Sequence, residues 1–283
     1  MISHVLVEDG KLAATTGEAI DLPWWSLTKT VIAAAALVLV RDGKLSLDDP
    51  LAGQGYTLRQ LLQHRAGVRN YGGLPAYHEA VSRHEPAWPV EVLLQRAEAD
   101  RPLYPPGEGW AYSNIGYLFV RQLIERVTGA ALGQALDRLV LSPLGIAGVR
   151  IATQWGELAP DYDPGWVYHG SLVGPLPQAA LLLHRLMIGE LLRPDLLEGM
   201  LRGHPVDGVE AGRPWVTTAY GLGVMTGTIA GGVRVVGHTG GGPGSVIAAY
   251  HAPARRRTAA AFAPGNDEDA VEQTCVTVLT SGG

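Results

Sequence analysis

Residues 26–43 read Ser-Leu-Thr-Lys-Thr-Val-Ile-Ala-Ala-Ala-Ala-Leu-Val-Leu-Val-Arg-Asp-Gly, and this stretch decides the fold. Nothing between Leu27 and Arg41 breaks a helix, Pro23 and Ser26 mark its entry, and Gly43 lies just past its end. From Val31 to Val40 every residue is apolar, so no face of the helix is suited to water. A helix of that kind is expected to be buried on all sides. Its first turn carries a different message. Ser26 and Lys29 stand three apart, on one helical face, where an ammonium can reach a hydroxyl. The helix N-terminus adds partial positive charge and free N–H groups beside the hydroxyl. Burial against the apolar helix is expected to lower the lysine pKa, as a base requires. Alone the spacing says little, because a Ser N-cap followed by a solvated Lys would look the same.

Two further stretches stand out downstream. Tyr112-Ser113-Asn114 follows a loop stiffened by Pro102, Pro105, Pro106, Gly107 and Gly109, and precedes a helix that Asn114 is expected to cap. Its apolar stripe is Ile115, Leu118, Phe119, Leu123, Ile124 and Val127, and Gly129 ends it. A phenol beside a nucleophile can carry its proton, and an amide can orient a lysine or a carbonyl. His238-Thr239-Gly240-Gly241-Gly242 closes a predicted strand. Small residues at a strand edge let a substrate backbone approach, and a backbone N–H there can pair with that of Ser26 as an oxyanion hole.

The ends of the chain read as one sheet. Asp9-Gly10 sits between His4–Val7 and Leu12–Thr15 as a hairpin turn. Ala219–Ile229, Val233–His238, Ser245–His251 and Thr258–Ala263 read as successive strands, and Asp267–Thr280 as a closing helix. Between them, Thr57–His64, Pro89–Ala99, Ala131–Val140 and Gln178–Glu190 read as helices. The expected fold is therefore α/β (α+β): a five-stranded antiparallel sheet from residues 1–45 and 215–283, flanked by the first and last helices, with a helical subdomain inserted at 46–214. The active site is expected in the cleft between them.

Composition narrows the function. The 283 residues carry a net charge of −5, without the basic excess of a dedicated nucleic-acid binder. A 47% apolar content supports a real core. A single cysteine, Cys275, excludes an internal disulfide framework and a thiolate metal cage, and it sits on the apolar face of its helix. Nine histidines show no metal-binding spacing, so neither metal nor organic cofactor is expected. The longest apolar run, Val31–Val40, is far short of the roughly 20 residues of a membrane span. The first twenty residues lack the pattern of a signal peptide, and a cytoplasmic location is the expectation. His64 reads as part of a structural turn, and Arg255-Arg256-Arg257 as a solvated hairpin tip. Gly240–Gly244 lacks phosphate-loop spacing. Two or three of Trp24, Trp25, Trp110, Trp166, Tyr168 and His169 are expected to line the pocket.

Taken in order, a helix-borne S-x-x-K, a Y-x-N loop and a strand-borne H-T-G resemble the serine β-lactamase and DD-peptidase superfamily, in which such motifs act together. The closer likeness is to the class C β-lactamase-like branch, with its family VIII esterases, D-aminopeptidases and DD-carboxypeptidases. Leu61–Val68, Pro106-Gly107-Glu108 and Tyr220-Gly221-Leu222-Gly223 fit that branch too, so the resemblance runs from about residue 20 to the end. It implies that Ser26 is the acylated nucleophile and Lys29 its proton acceptor. It implies that Tyr112 serves the leaving group and the deacylating water, and that Asn114 orients Lys29 and the substrate. His238, Thr239 and Gly240 would border the substrate, with Gly241 supplying the second oxyanion N–H. His238 stands where these enzymes usually carry a carboxylate-binding Lys, and a histidine is mostly neutral at pH 7. The stretch from Asn114 to His238 is short for the branch, which implies a trimmed helical domain. The expected activity is hydrolysis of a small acyl substrate through a serine ester. An ester, a β-lactam and a D-amino-acid amide all suit the machinery, with an ester favoured. The alternative is a penicillin-recognising or scaffold protein that kept the motifs and lost turnover.

Overall fold

The apolar stretch forms the helix its pattern demands. In the computed structural model, which describes residues 1–17, 20–208 and 211–281, helix α1 is Thr28–Arg41. Every residue from Val31 to Leu39 is at most 2% exposed. Each Val, Leu or Ile so buried contributes about 1.5–3 kcal/mol, which is why this helix needs no polar face.

Around it the chain runs as follows. Strands β1 (Ser3–Glu8), β2 (Lys11–Thr15) and β3 (Asp21–Pro23) precede α1. Helices α2 (Leu58–Leu62), α3 (Pro75–Ser82), α4 (Val90–Arg96), α5 (Asn114–Thr128) and α6 (Leu132–Leu136) follow it. Next come β4 (Arg150–Ile151), β5 (Leu172–Pro175), α7 (Leu176–Met187) and α8 (Pro194–Leu201). The chain closes with β6 (His204–Pro205), β7 (Trp215–Tyr220), β8 (Met225–Ile229), β9 (Arg234–Gly242), β10 (Ser245–Ala252), β11 (Arg257–Pro264) and α9 (Glu268–Thr280).

The main sheet is antiparallel, in the order β2-β1-β11-β10-β9-β8-β7-β6. Its central strands alternate as the pleat requires. Ile247, Ala249 and Ala260 join the cluster that contains α1 and α7, whereas Val246, Ala248, Tyr250, Ala259 and Ala261 pack with Val271, Cys275 and Leu279 of α9. Alanines at so many central positions let helices approach both faces. The N-terminal hairpin joins the sheet through β1 and β11, with Val5 opposite Ala260.

The mixed antiparallel-sheet class matches the expectation, but the main sheet has eight strands among the described residues rather than five. One reason is that the segment expected as a single strand, Ala219–Ile229, is two. Gly223 turns with φ +76, and a Cβ on Gly221 would lie 2.2 Å from the Met200 carbonyl, so the chain folds back at Gly221–Val224. A second sheet, β3-β5-β4, was not anticipated. It pairs Pro23 with Val173 and Leu22 with Gly174, and so ties the approach to Ser26 to a segment some 150 residues away. Helices α3 and α8 were likewise unforeseen. The cap of α5 is Ser113, not Asn114: the Ser113 hydroxyl accepts from Gly116 N–H at 2.9 Å, and Asn114 is the first helical residue.

Candidate active site

Ser26 lies in a 3-10 turn, Trp25–Leu27, immediately before α1. Trp25 adopts φ +43, a conformation that bulky residues rarely take and that needs support from its surroundings. Support comes from its indole N–H, which donates to Ser245 Oγ at 3.0 Å, and from edge-on packing against Tyr162. The turn is pinned at its base as well, since Trp24 N–H donates to the Leu172 carbonyl and Leu27 N–H to that of Trp24.

Lys29, one turn on, is completely buried, and its Nζ lies 3.0 Å from Ser26 Oγ, within hydrogen-bond distance. Burial holds its pKa well below the ordinary lysine value, which favours the neutral amine that a general base must be. A second polar atom lies equally close: His169 Nε2 is 3.0 Å from Nζ. The Tyr112 and Tyr117 rings lie beneath the amine, with centroids at 5.0 and 5.7 Å. Burial raises the Tyr112 pKa, and a hydrogen bond with the Ser26 side chain works against that rise.

On the far wall, β9 runs past Ser26. A Cβ on Gly240 would lie 2.7 Å from both Ser26 N and the Trp24 carbonyl oxygen, so only glycine allows this approach. Gly241 continues along the wall, and a Cβ there would meet Glu268 Oε1 at 2.7 Å. His238 and Thr239 face other partners. His238 Nδ1 lies 2.5 Å from the Thr239 carbonyl, an acceptor, so Nδ1 carries the proton and Nε2 accepts from Tyr220 OH at 2.8 Å. Burial lowers the His238 pKa to about 3, and Lys29 adds to the effect. The Thr239 hydroxyl donates to the buried Glu272, which also accepts from Tyr250 OH at 2.6 Å, from Trp215 Nε1 at 3.2 Å and from Arg213 Nε at 2.8 Å.

Ser26, Asn114 and Gly241 border two cavities. One, of about 90 Å³, is walled by Trp25, Tyr71, Tyr77, Tyr162, Val167 and His169. The other, of about 560 Å³, is walled by Trp110, Tyr112, Arg213, Tyr220, His238 and Glu268, among others. A larger groove of about 880 Å³ between Tyr56, Leu94 and Phe119 contains none of these residues. Ser26, Lys29, Tyr112, Asn114, His238, Thr239, Gly240 and Gly241 thus gather from three distant stretches of chain. Asn114 donates its backbone N–H to Asn70 Oδ1 at 3.1 Å, and His169 Nε2 is the side-chain atom that faces Lys29 Nζ opposite Ser26.

Among the residues considered for the pocket, Trp25, Trp110 and His169 line the two cavities, while Trp24 lies in the core. Three features escaped sequence reading: the contact of His169 with Lys29, the Glu272 hub, and the place of His64. His64 does sit at a turn, with φ +57, but its ring packs between those of Tyr112 and Tyr220, at 4.3 and 4.7 Å. Its Nδ1 accepts the Ser113 N–H at 3.1 Å, which fixes the loop bearing Tyr112. Arg255 and Arg257 are not simply solvated, since they donate to the Thr280 and Ser281 carbonyls and Arg257 also pairs with Glu8. Cys275 is buried core, as its place on the helix face implied. Among the described residues no helix is long and apolar enough to cross a membrane, and no cluster of three metal-ligating side chains occurs.

Residues 22–280 match the family description Beta-lactamase. The chain is 28% identical over 223 residues to a D-aminopeptidase of Cereibacter sphaeroides, which covers 71% of this chain and 40% of that protein. It is 28% identical over 141 residues to esterase EstB of Burkholderia gladioli, covering 43% and 36%. The chain therefore spans about two-fifths of the length of these curated relatives. Among solved structures, a D-stereospecific amidohydrolase from Streptomyces superposes with a TM-score of 0.83 at 24% identity, covering 100% of this chain and 94% of that one.

Proposed function

Because the chain belongs to the Beta-lactamase family, whose relatives here bear the names of hydrolases, we propose that it hydrolyses small acyl substrates through an ester on Ser26, with esters favoured over β-lactams and D-amino-acid amides. The observation that carries this reading is the buried Lys29 amine, 3.0 Å from the Ser26 hydroxyl. In acylation, the Ser26 proton passes to Lys29 as Oγ bonds to the substrate carbonyl carbon. The oxyanion is received by the N–H groups of Ser26 and Gly241, each such donor being worth roughly 10²–10³ in rate. Collapse breaks the bond to the leaving group, which takes a proton from Tyr112. Water then attacks the ester with Tyr112 acting as base, and Ser26 regains its proton.

The preference for esters follows from charge on the leaving-group side. Tyr112 and His238 both border the larger cavity, so the leaving group belongs there. Its histidine is neutral, its Arg213 is held by Glu272, and Glu268 stands beside Gly241. A leaving group bearing a carboxylate, as in a β-lactam, meets no dedicated cation among the described residues of that cavity. The names of the relatives, an esterase, a D-aminopeptidase and a D-stereospecific amidohydrolase, leave room for amides as second-rank substrates.

A panel of short-chain p-nitrophenyl esters, nitrocefin and D-aminoacyl anilides tests this, with a fluorophosphonate probe read by intact mass. Ester turnover and a Ser26 adduct that Ser26→Ala abolishes are expected. Nitrocefin turnover with negligible ester cleavage would overturn the ranking. A stable adduct without turnover of any substrate would instead favour the non-catalytic scaffold.

A further inference from the structure

Lys29 has two polar neighbours at 3.0 Å, and the reaction outlined above uses only Ser26. His169 is 3% exposed, lines the smaller cavity beside Ser26, and has no protein partner for Nδ1 among the described residues. Its loop is held on all sides. Tyr71 OH donates to the Trp166 carbonyl at 2.6 Å, Arg121 Nη1 to the Tyr168 carbonyl at 3.0 Å, and Tyr168 OH to the Trp88 carbonyl at 2.8 Å. Just beyond it, Leu172 N–H donates to Thr28 Oγ1 at 2.9 Å, which ties the loop to the residue before Lys29. A histidine fixed this firmly against an amine is placed rather than merely accommodated.

Resting on the acyl-enzyme reading, we propose that His169 is the positioning residue of the base: its Nε2 accepts one N–H of Lys29 and thereby aims the amine lone pair at Ser26. The proton count is consistent. A neutral amine has two N–H groups and one lone pair. One N–H goes to His169, the lone pair to the Ser26 O–H, and the remaining N–H lies over the Tyr112 and Tyr117 rings. His169 then carries its own proton on Nδ1. When Lys29 takes the Ser26 proton, the N–H···N bond becomes charge-assisted and strengthens. His169 therefore favours the state that follows proton transfer over the one that precedes it, which is the condition for accelerating a step. The other groups around the amine are the phenols of Tyr112 and Tyr117 and the imidazoles of His64 and His238, and Arg121 faces His169 from α5. None of them duplicates the acceptor at 3.0 Å.

The test labels Ser26 with a fluorophosphonate across the pH range in wild type, His169→Gln, His169→Met and His169→Phe. Glutamine can place an acceptor near the position of Nε2, while methionine matches its length with only a weak thioether acceptor and phenylalanine offers none. Met and Phe variants are expected to label about 10- to 100-fold more slowly, the range for losing one charge-assisted hydrogen bond. Their acid limb should move to lower pH, because an acceptor that favours the ammonium is gone. Gln should restore both the rate and the limb to near the wild-type values. A role confined to packing would lower the rate without moving the limb. If Phe misfolds, the Gln and Met pair gives the same comparison. Met labelling at the wild-type rate, or Gln as slow as Met with an unchanged melting temperature, would overturn the proposal. Absence of labelling in wild type would refute the acyl-enzyme reading itself and is a distinct outcome.

Discussion

The close pass of β9 over the turn that bears Ser26 can be tested with one methyl group. In Gly240→Ala, the new Cβ would lie 2.7 Å from Ser26 N, 2.7 Å from the Trp24 carbonyl oxygen and 2.9 Å from Trp25 Cβ. Ordinary contact begins near 3.4 Å, so the two backbones must separate by about 0.7 Å. Neither side yields easily. Gly240 is paired with Ile247 of β10, and the turn is tied through Trp24 to Leu172 and through Trp25 to Ser245. Gly240 is not in the left-handed region, so the substitution adds bulk without backbone strain.

The separation falls between the Ser26 N–H and the Gly241 N–H, the two proposed oxyanion donors. Such donors act within about 2.7–3.1 Å of the oxyanion, and a displacement of this order is enough to lose one. Turnover of a p-nitrophenyl ester should therefore fall about 10²-fold, by the rule for a misplacement near 1 Å, with KM little changed. Overpacking adds about 1–3 kcal/mol of destabilisation, or roughly 2–12 °C in melting temperature at about 2–4 °C per kcal/mol. Gly199→Ala in α8 serves as the control, because a Cβ there meets nothing within 4 Å. Burst kinetics separate acylation from release. A Gly240→Ala enzyme that keeps wild-type turnover would refute the oxyanion geometry.

Tyr112→Phe keeps the ring that packs on His64 and removes the hydroxyl, so turnover should drop roughly 10²–10⁴-fold at an unchanged melting temperature; near-normal turnover would make Tyr112 a packing residue. Glu272→Gln takes away the charge that Arg213, Trp215, Thr239 and Tyr250 converge on. Breaking a buried ion pair costs about 3–5 kcal/mol, so calorimetry should show a loss of roughly 6–20 °C by the same conversion. Burial pushes the Glu272 pKa up, but Arg213, with the Thr239 and Tyr250 hydroxyls, outweighs it and holds the pKa below the ordinary carboxylate value, so that advantage is present above the unfolded pKa, near 4.3, and vanishes as pH falls through the lower folded value. His251, lowered to about 4 by burial, works in the same direction. Unfolding lets it bind a proton below about pH 6.5, so stability should decline from there towards pH 4, and His251→Gln should flatten the decline; an identical slope in the variant would refute this.

What was legible in the sequence follows from how far each signal reaches along the chain. The pattern of α1 is local: ten apolar residues in succession state their own burial. The three motifs are each a few residues long, so each could be found without knowing what it faces. The strand break at Gly221–Val224 was not legible, because the reason for it, the Met200 carbonyl, is supplied by α8. The cap of α5 was misassigned for a similar reason. Ser and Asn are both good caps, and the choice falls to Ser113 because its hydroxyl also donates to the Arg69 carbonyl at 2.9 Å.

The larger omission concerns electrostatics. From sequence, His238 reads as a mostly neutral residue in the place of a cation, with no partners in view. In the fold it is a neutral acceptor locked by Tyr220 and Thr239. His64 and His169 are also buried with lowered pKa values, and Lys29 contributes to the lowering of all three. The relation is reciprocal: an amine that suppresses protonation of three imidazoles is itself held towards its neutral form by any charge they would carry. The residues 35, 140 and 209 positions beyond Lys29 therefore act as one environment for it, and no periodicity or motif could announce that. Among the described residues no carboxylate stands against Lys29, and on the proposed reading such a base suits substrates that bring no charge of their own.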